Sequence, residues 1–336
     1  MSGHETNEGG GVMTRERFGD PEVREAAVRR VEAEWGLELP DSFLVFLDFL
    51  DGLDDAERQA LRDLDIAPCG VSDLFRDPGA RPREGVDIRV HGRYYRDPPE
   101  FLTFLHGGSD GLHFGLWSDD GRRCAGVASY WTHDGGGIGR RHATPLEAVR
   151  SRIEGAHRDL ADYAADGDPD EVARLAALAG LRTALTRFET GERTETGLAY
   201  AQAYEYHRLP ADTARVTTLD EAGALVSGET AHGRPPHGAA DPDRFETFMD
   251  ELFDDPAALR AAHAEALRRA AAGDPAEALV LGRDLHWASY GVPEREEYAR
   301  ELLAAAYREL DRPALAEIAA AHHRHRALPD VDVLRS

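Results

Sequence analysis

The chain has 336 residues, a formal net charge of -24 at pH 7 and 42% hydrophobic residues. Its 39 basic residues are all arginine, set against 63 acidic ones, so the average surface repels phosphate and direct nucleic-acid binding is not expected. The length points to two domains rather than one core, and no apolar run approaches the roughly 18 residues of a membrane helix. Cys69 and Cys124 have no metal-ligand spacing and suggest no disulfide framework, which fits a cytoplasmic protein.

The polar, glycine-rich start reads as a disordered arm over 1–17. Val23, Ala27, Val31 and Trp35 then recur every four residues, which predicts a helix over 21–35 stopped by Gly36. Pro40 and Asp41 open a second helix through Phe43, Phe46, Leu47 and Leu50, ending near Gly52. A third, short helix is expected over Asp55–Leu64. After Cys69 the period changes to that of strands, expected at 86–90 (VDIRV), 99–105 (PEFLTFL), 112–117 (LHFGLW) and 124–131 (CAGVASYW). Glycine-rich turns between them imply antiparallel hairpins, and DGGGIG at 134–139 closes the sheet region.

Helices are expected over 145–165 and 169–189, a weak strand near Ala224–Ser227, and a proline-rich loop over 233–243. From Asp241 the chain reads as helical almost to its end. It is broken at Asp255-Pro256, Gly273-Asp274-Pro275, Gly291-Val292-Pro293 and Arg312-Pro313, giving four short helices in succession. The expected fold class is α+β: an N-terminal domain over 18–168 with an antiparallel sheet and flanking helices, then a mostly helical domain over 169–336.

No nucleophile elbow, P-loop, HExxH or paired CxxC is present. His322, His323 and His325 cluster near the last helix end. Adjacent histidines there face different ways, and cations at that end complement the helix dipole, so no metal site is expected. Gly107-Gly108 and Gly135–Gly137 read as hairpin turns rather than anion cradles.

Two stretches stand out. In RYYRDPPEF (93–101) two prolines fix the backbone before an apolar strand, and Pro98 pushes Asp97 towards extended geometry. The reading is a buried approach to the sheet, with Arg93 or Arg96 paired to a carboxylate. In GDPAE (273–277) Asp274 reads as an N-cap, with Pro275 at the first helical position and Glu277 three residues after the cap.

These motifs carry a resemblance. Trp35 to Phe49, with Leu39-Pro40 and Phe43, is similar to the opening of the histone PARylation factor family. Arg93, Tyr94, Tyr95, Asp97, Pro98, Pro99, Glu100 and Phe101 resemble that family's aromatic pair followed by DPPEF. LGRDL at 281–285, with Asp284, then Tyr290-Gly291, Ala306-Tyr307 and AEIAAAHHRHR at 316–326, resemble its last helices in order and spacing. The likeness covers about residues 20–336, with a weak middle.

It implies a SUKH-like N-terminal domain and a helical C-terminal domain that together act as an accessory factor. The factor binds an ADP-ribosyltransferase of PARP type beside the NAD site. It supplies a carboxylate that takes the proton of an acceptor serine on a protein target, while NAD stays with the transferase. The chain itself is expected to bind no cofactor and to transfer nothing alone. As the carboxylates nearest to the family's acidic loop, though neither aligns without a gap, Glu277 and Asp274 are the candidate bases, and Arg234, downstream of AGALV at 222–226, is the candidate docking arginine. The loop lacks the adjacent Asp-Glu pair expected of the family, which leaves open the alternative of a SUKH-type binding or immunity module without a catalytic contribution.

Overall fold

Ala27, Val31 and Trp35 are buried in a helix over Pro21–Trp35, as their four-residue spacing predicts. The computed structural model describes residues 18, 21–164, 167–189, 215–228, 230, 234 and 242–335. The expected arm over 1–17, and most of the loop over 233–243, lie outside them. Gly36 follows in the left-handed region at φ 69°, where a Cβ would stand 2.9 Å from that of Ala314. The second helix, Asp41–Gly52, buries Phe43, Phe46, Leu47 and Leu50, and the third spans Asp55–Arg62 behind a capping box of Asp54 and Glu57.

The strands are β1 (Ile66–Pro68), β2 (Arg81–Pro82), β3 (Phe101–Gly107), β4 (Leu112–Trp117), β5 (Val127–Trp131) and β6 (Gly135–His142). Five form one sheet in the order β1-β3-β4-β5-β6, every pair antiparallel. All of β4 is buried because both faces are covered. Leu112, Phe114 and Leu116 join the core of Phe43, Phe46 and Phe104, with ring pairs such as Phe46–Phe104 edge-on at 5.4 Å. Trp117 points the other way, with Phe101, Ala128, Tyr130 and Ile138, and Trp287 of a C-terminal helix packs on this cluster through Tyr130 at 5.3 Å. Period-2 alternation thus places the sheet between the leading helices and the trailing ones.

Several expectations shift. Residues 86–90 form no strand: Ile88–Val90 is a 3-10 turn whose cap, Asp87, accepts from the Arg89 amide at 3.0 Å. The local Asx bond competes with strand pairing. Pro99 and Glu100 lie in a turn closed by Phe101 N–H to Pro98 O at 2.9 Å, so β3 begins at Phe101. Cys124–Gly126 precede β5, with the Cys124 amide donating to Glu38 O. DGGGIG does not close the sheet but opens β6, a strand hidden by its glycines.

Helices Pro145–Ala164 and Pro169–Thr186 pack on each other, and the latter also packs on Asp55–Arg62. The pair Arg215–Val216 and Ala224–Leu225 forms a small hairpin, and Leu334–Arg335 pairs with β2. The four proline breaks separate five helices, not four: Pro242–Asp254, Pro256–Ala271, Ala276–Ala288, Pro293–Glu309 and Pro313–His325. Ala276–Ala288 is central, with every residue from Ala276 to His286 buried. Gly282 lets Pro293–Glu309 close in; a Cβ there would stand 3.0 Å from the Leu303 side chain. No described helix is long and apolar enough to cross a membrane.

Candidate functional site

The RYYRDPPEF stretch is the seam between sheet and helices. Asp97, fully buried, accepts at Oδ1 from Tyr130 OH (2.6 Å), with His113 Nε2 at 2.9 Å, and at Oδ2 from the Tyr94 amide (2.9 Å) and Thr103 Oγ1 (3.3 Å). Its carbonyl accepts from His286 Nε2 at 2.9 Å. Glu100 accepts from Tyr307 OH at 2.9 Å, and Arg283 Nη1 lies at 3.5 Å. The prolines earn their place by shape: the Pro98 carbonyl accepts both the Phe101 amide and Arg93 Nη1.

The expected ion pair at Arg93 or Arg96 is overturned. Arg93 donates to three backbone carbonyls, those of Asp97 (3.3 Å), Pro98 (2.8 Å) and Phe101 (2.7 Å). Arg96 lies over the rings of Tyr95 and Trp287, at 5.4 and 5.0 Å. The turn made by two prolines turns its carbonyls inward, and π faces rather than carboxylates meet the second guanidinium. Tyr95 also packs against Tyr290, with ring centroids 4.2 Å apart and the planes tilted by 37°, and Tyr290 is 54% exposed.

Three sequence-chosen residues do converge. Arg234 pairs with Asp284 and stands 4.0 Å from Glu277 Oε1, and all three side chains are fully buried. Asp284 Oδ1 also accepts from the Leu219 amide at 2.7 Å, tying the 215–225 hairpin to the central helix. Burial pushes the Asp284 carboxyl up to about 6, against the pull of Arg234 and of that amide. Next to it in the chain, Arg283 binds Asp220 through Nε at 2.7 Å and through Nη2, and lies over Trp117 at 5.4 Å. Asp220 in turn accepts from Thr218 Oγ1 (2.6 Å) and the Ala222 amide (3.0 Å).

Asp274 does not join this cluster, and its expected cap is absent. The helix starts at Ala276 with Pro275 as the capping residue and no side-chain cap bond. Asp274 Oδ2 instead accepts from Arg269 Nε (2.9 Å) and Nη2 (2.5 Å), because the Gly273 turn folds it back on the preceding helix. It is half-buried, with Gly228 so close that a Cβ there would fall 2.6 Å from Asp274 Oδ1. Of the two candidate bases, only Asp274 reaches solvent.

Sequence reasoning missed Arg283, Asp220 and His286. Arg283 sits inside LGRDL, so its neighbour was visible; Asp220 had no local signal. No group of three or more His, Cys, Asp or Glu side chains among the described residues is placed to hold a metal.

Comparison with known proteins agrees with the resemblance over part of the chain. The aligned segment of the zebrafish (Danio rerio) protein named Histone PARylation factor 1 is 33% identical over 93 residues. It spans 27% of this chain and 27% of that protein, about a quarter of the relative's length. The matched family segment contains RYYRDPPEF whole, whereas LGRDL and the Arg234 cluster lie beyond it. Residues 26–157 match the family described as Histone PARylation factor 1.

Proposed function

We propose that the chain is an accessory protein of ADP-ribosylation, binding an ADP-ribosyltransferase of PARP type and acting with it on protein targets. The observation that carries this reading is the seam. Asp97 and Glu100, inside the matched segment, are bonded to His286, Arg283 and Tyr307 beyond it, so the helical half is fastened to the part that resembles the family. NAD belongs to the transferase in this reading.

Within it, Asp274 is the carboxylate assigned to the base role, taking the proton of a target serine hydroxyl. Glu277 drops out, because a fully buried side chain cannot reach a hydroxyl on another protein. Arg234, equally buried, supports docking by holding the hairpin and the central helix together rather than by touching the partner. A second reading, a binding module of SUKH type without a catalytic share, is favoured by one observation: the Arg269 clamp on Asp274.

The test is serine modification by a cognate transferase with and without this chain. Stimulation that Asp274→Asn abolishes, with binding retained, supports the base role. Binding and stimulation that survive Asp274→Asn leave an accessory protein without a base. Absence of any transferase binding sinks both the function and the base role.

A further inference from the structure

A cleft of about 280 Å³ opens between the RYYR segment and the chain from His322 to Val331. It falls just below the roughly 300–1,000 Å³ typical of small-molecule sites. Its floor holds two buried arginines, Arg93 and Arg326. Their partners are mostly uncharged. Arg93 binds only carbonyls among its hydrogen bonds. Arg326 donates to the carbonyls of Tyr95 (2.8 Å) and His286, and its Nη1 has a 3.4 Å contact with Ser289 Oγ. Arg326 Nη1 makes a long ion pair with Glu296 Oε1 at 4.0 Å, and Asp330 lies exposed at the rim.

Carbonyls satisfy a guanidinium's protons but leave its charge uncompensated. Asp97 and Glu100 act on Arg93 to support its charge, which leaves Arg326, with Glu296 4.0 Å away, as the less compensated cation of the cavity in a chain of net charge -24. Burial, opposed by Glu296, pulls the Arg326 guanidinium down to about 10, as expected of a cation short of an anion.

Two further groups point to a ligand. His322 lines the cleft, is 2% exposed, and its Nδ1 has no hydrogen-bond partner among the described residues. A buried polar atom left so is costly and calls for an explanation. At the mouth, Tyr290 packs against Tyr95 with the two rings tilted by 37° and is 54% exposed, leaving aromatic surface open to a flat ring. His133, exposed, stands at the same rim.

We propose that this cleft binds an aromatic ring carrying one phosphate group, the chemistry of a nucleoside monophosphate. The phosphate lies against Arg326 beneath the His133 rim, and the ring lies on Tyr290. With Nε and Nη2 held by the Tyr95 and His286 carbonyls, the Nη1 side of Arg326 is what meets a phosphate oxygen, and an exposed tyrosine ring accepts any planar base. No bond is made or broken.

The experiment is calorimetric titration of the full chain with adenosine 5′-monophosphate, alongside adenosine and inorganic phosphate. Saturable binding of the monophosphate, competed by inorganic phosphate and about tenfold tighter than either fragment alone, is expected. Tyr290→Ala should weaken it about tenfold with the melting temperature unchanged, since the ring is half out in solvent. His133→Glu, also at an exposed position, should weaken it through repulsion and make the residual binding less sensitive to salt. Monophosphate binding that both variants leave at wild-type strength overturns the assignment. So does the absence of heat up to about 10 mM ligand, a concentration that still detects millimolar affinity.

Discussion

Arg283 and Arg326 are both buried, both reach the Ala276–Ala288 helix, and stand in opposite electrical surroundings. Burial alone would pull Arg283 down, but Asp220 and Glu100 outweigh it and hold the guanidinium above its ordinary value. Arg326 meets carbonyls and a distant Glu296, and burial lowers it to about 10. The first arginine completes a closed polar lattice that fastens the sheet to the helices. The second is held by carbonyls, and its charge is met only at 4.0 Å, by Glu296. A buried cation is therefore best understood by what cancels its charge, not by how many protons it donates.

The largest effect should come from breaking the closed lattice. Arg283→Met strands Asp220 and Glu100 without their cation and should cost about 3–5 kcal/mol in denaturant unfolding. Arg326→Met strands two carbonyls and removes only a long 4.0 Å ion pair with the part-exposed Glu296, and should cost about 1–3 kcal/mol. Equal losses at the two positions would erase the distinction between them.

The histidines between the two arginines make the comparison pH-dependent. His286 and His322 face each other at 5.0 Å, and burial holds both well below 6.5, Arg326 adding to the effect at His286 and His286 at His322. The unfolded chain then takes up protons that the folded chain refuses. Stability is complete above 6.5 and falls as the pH drops through that value, by up to about 1.4 kcal/mol per pH unit for each histidine. Asp284 acts with the opposite sign. Its carboxyl, raised to about 6 from 3.8, keeps its proton longer in the folded state, so acidification from about 6 towards 3.8 returns some stability. Unfolding midpoints should therefore fall as the pH drops below 6.5, and fall less steeply below about 6, where Asp284 offsets part of the loss from the two histidines. His322→Gln should reduce the drop; a midpoint independent of pH over this range would contradict the burial of both imidazoles.

The sequence made the helices legible and the seam only half so. Four-residue spacing placed Val31 and Trp35, and alternation placed β4 to the residue, because those signals are local. β6 was lost because glycines carry no hydrophobic pattern, and 86–90 was misread because the Asp87 side chain bonds the Arg89 amide in place of a strand partner. DPPEF could be seen as unusual, but its reason is long-range. Asp97 finds His113, Tyr130 and His286, which lie 16, 33 and 189 residues away. Arg234 and Asp284 were chosen by resemblance, and their meeting across the core has no counterpart in spacing. The pairing of Asp274 with Arg269 spans only five residues, yet a competing local reading, the N-cap, fitted the same letters.

The smallest effect separates the two carboxylates of the 273–277 turn. Glu277 is fully buried near Arg234, so Glu277→Ala should cost about 1–3 kcal/mol through an arginine deprived of part of its compensation. Asp274 has a side chain 35% exposed and pairs with Arg269 at the surface, where such a pair contributes at most about 1 kcal/mol and weakens with salt. Asp274→Asn should leave the unfolding midpoint within that margin, and the difference from wild type should vanish in high salt. If both variants lose stability alike, Asp274 belongs to the closed lattice with Arg283. If only Glu277 matters to the fold, Asp274 is a carboxylate the fold can spare, and any defect it shows in a transferase assay reports chemistry or docking rather than unfolding.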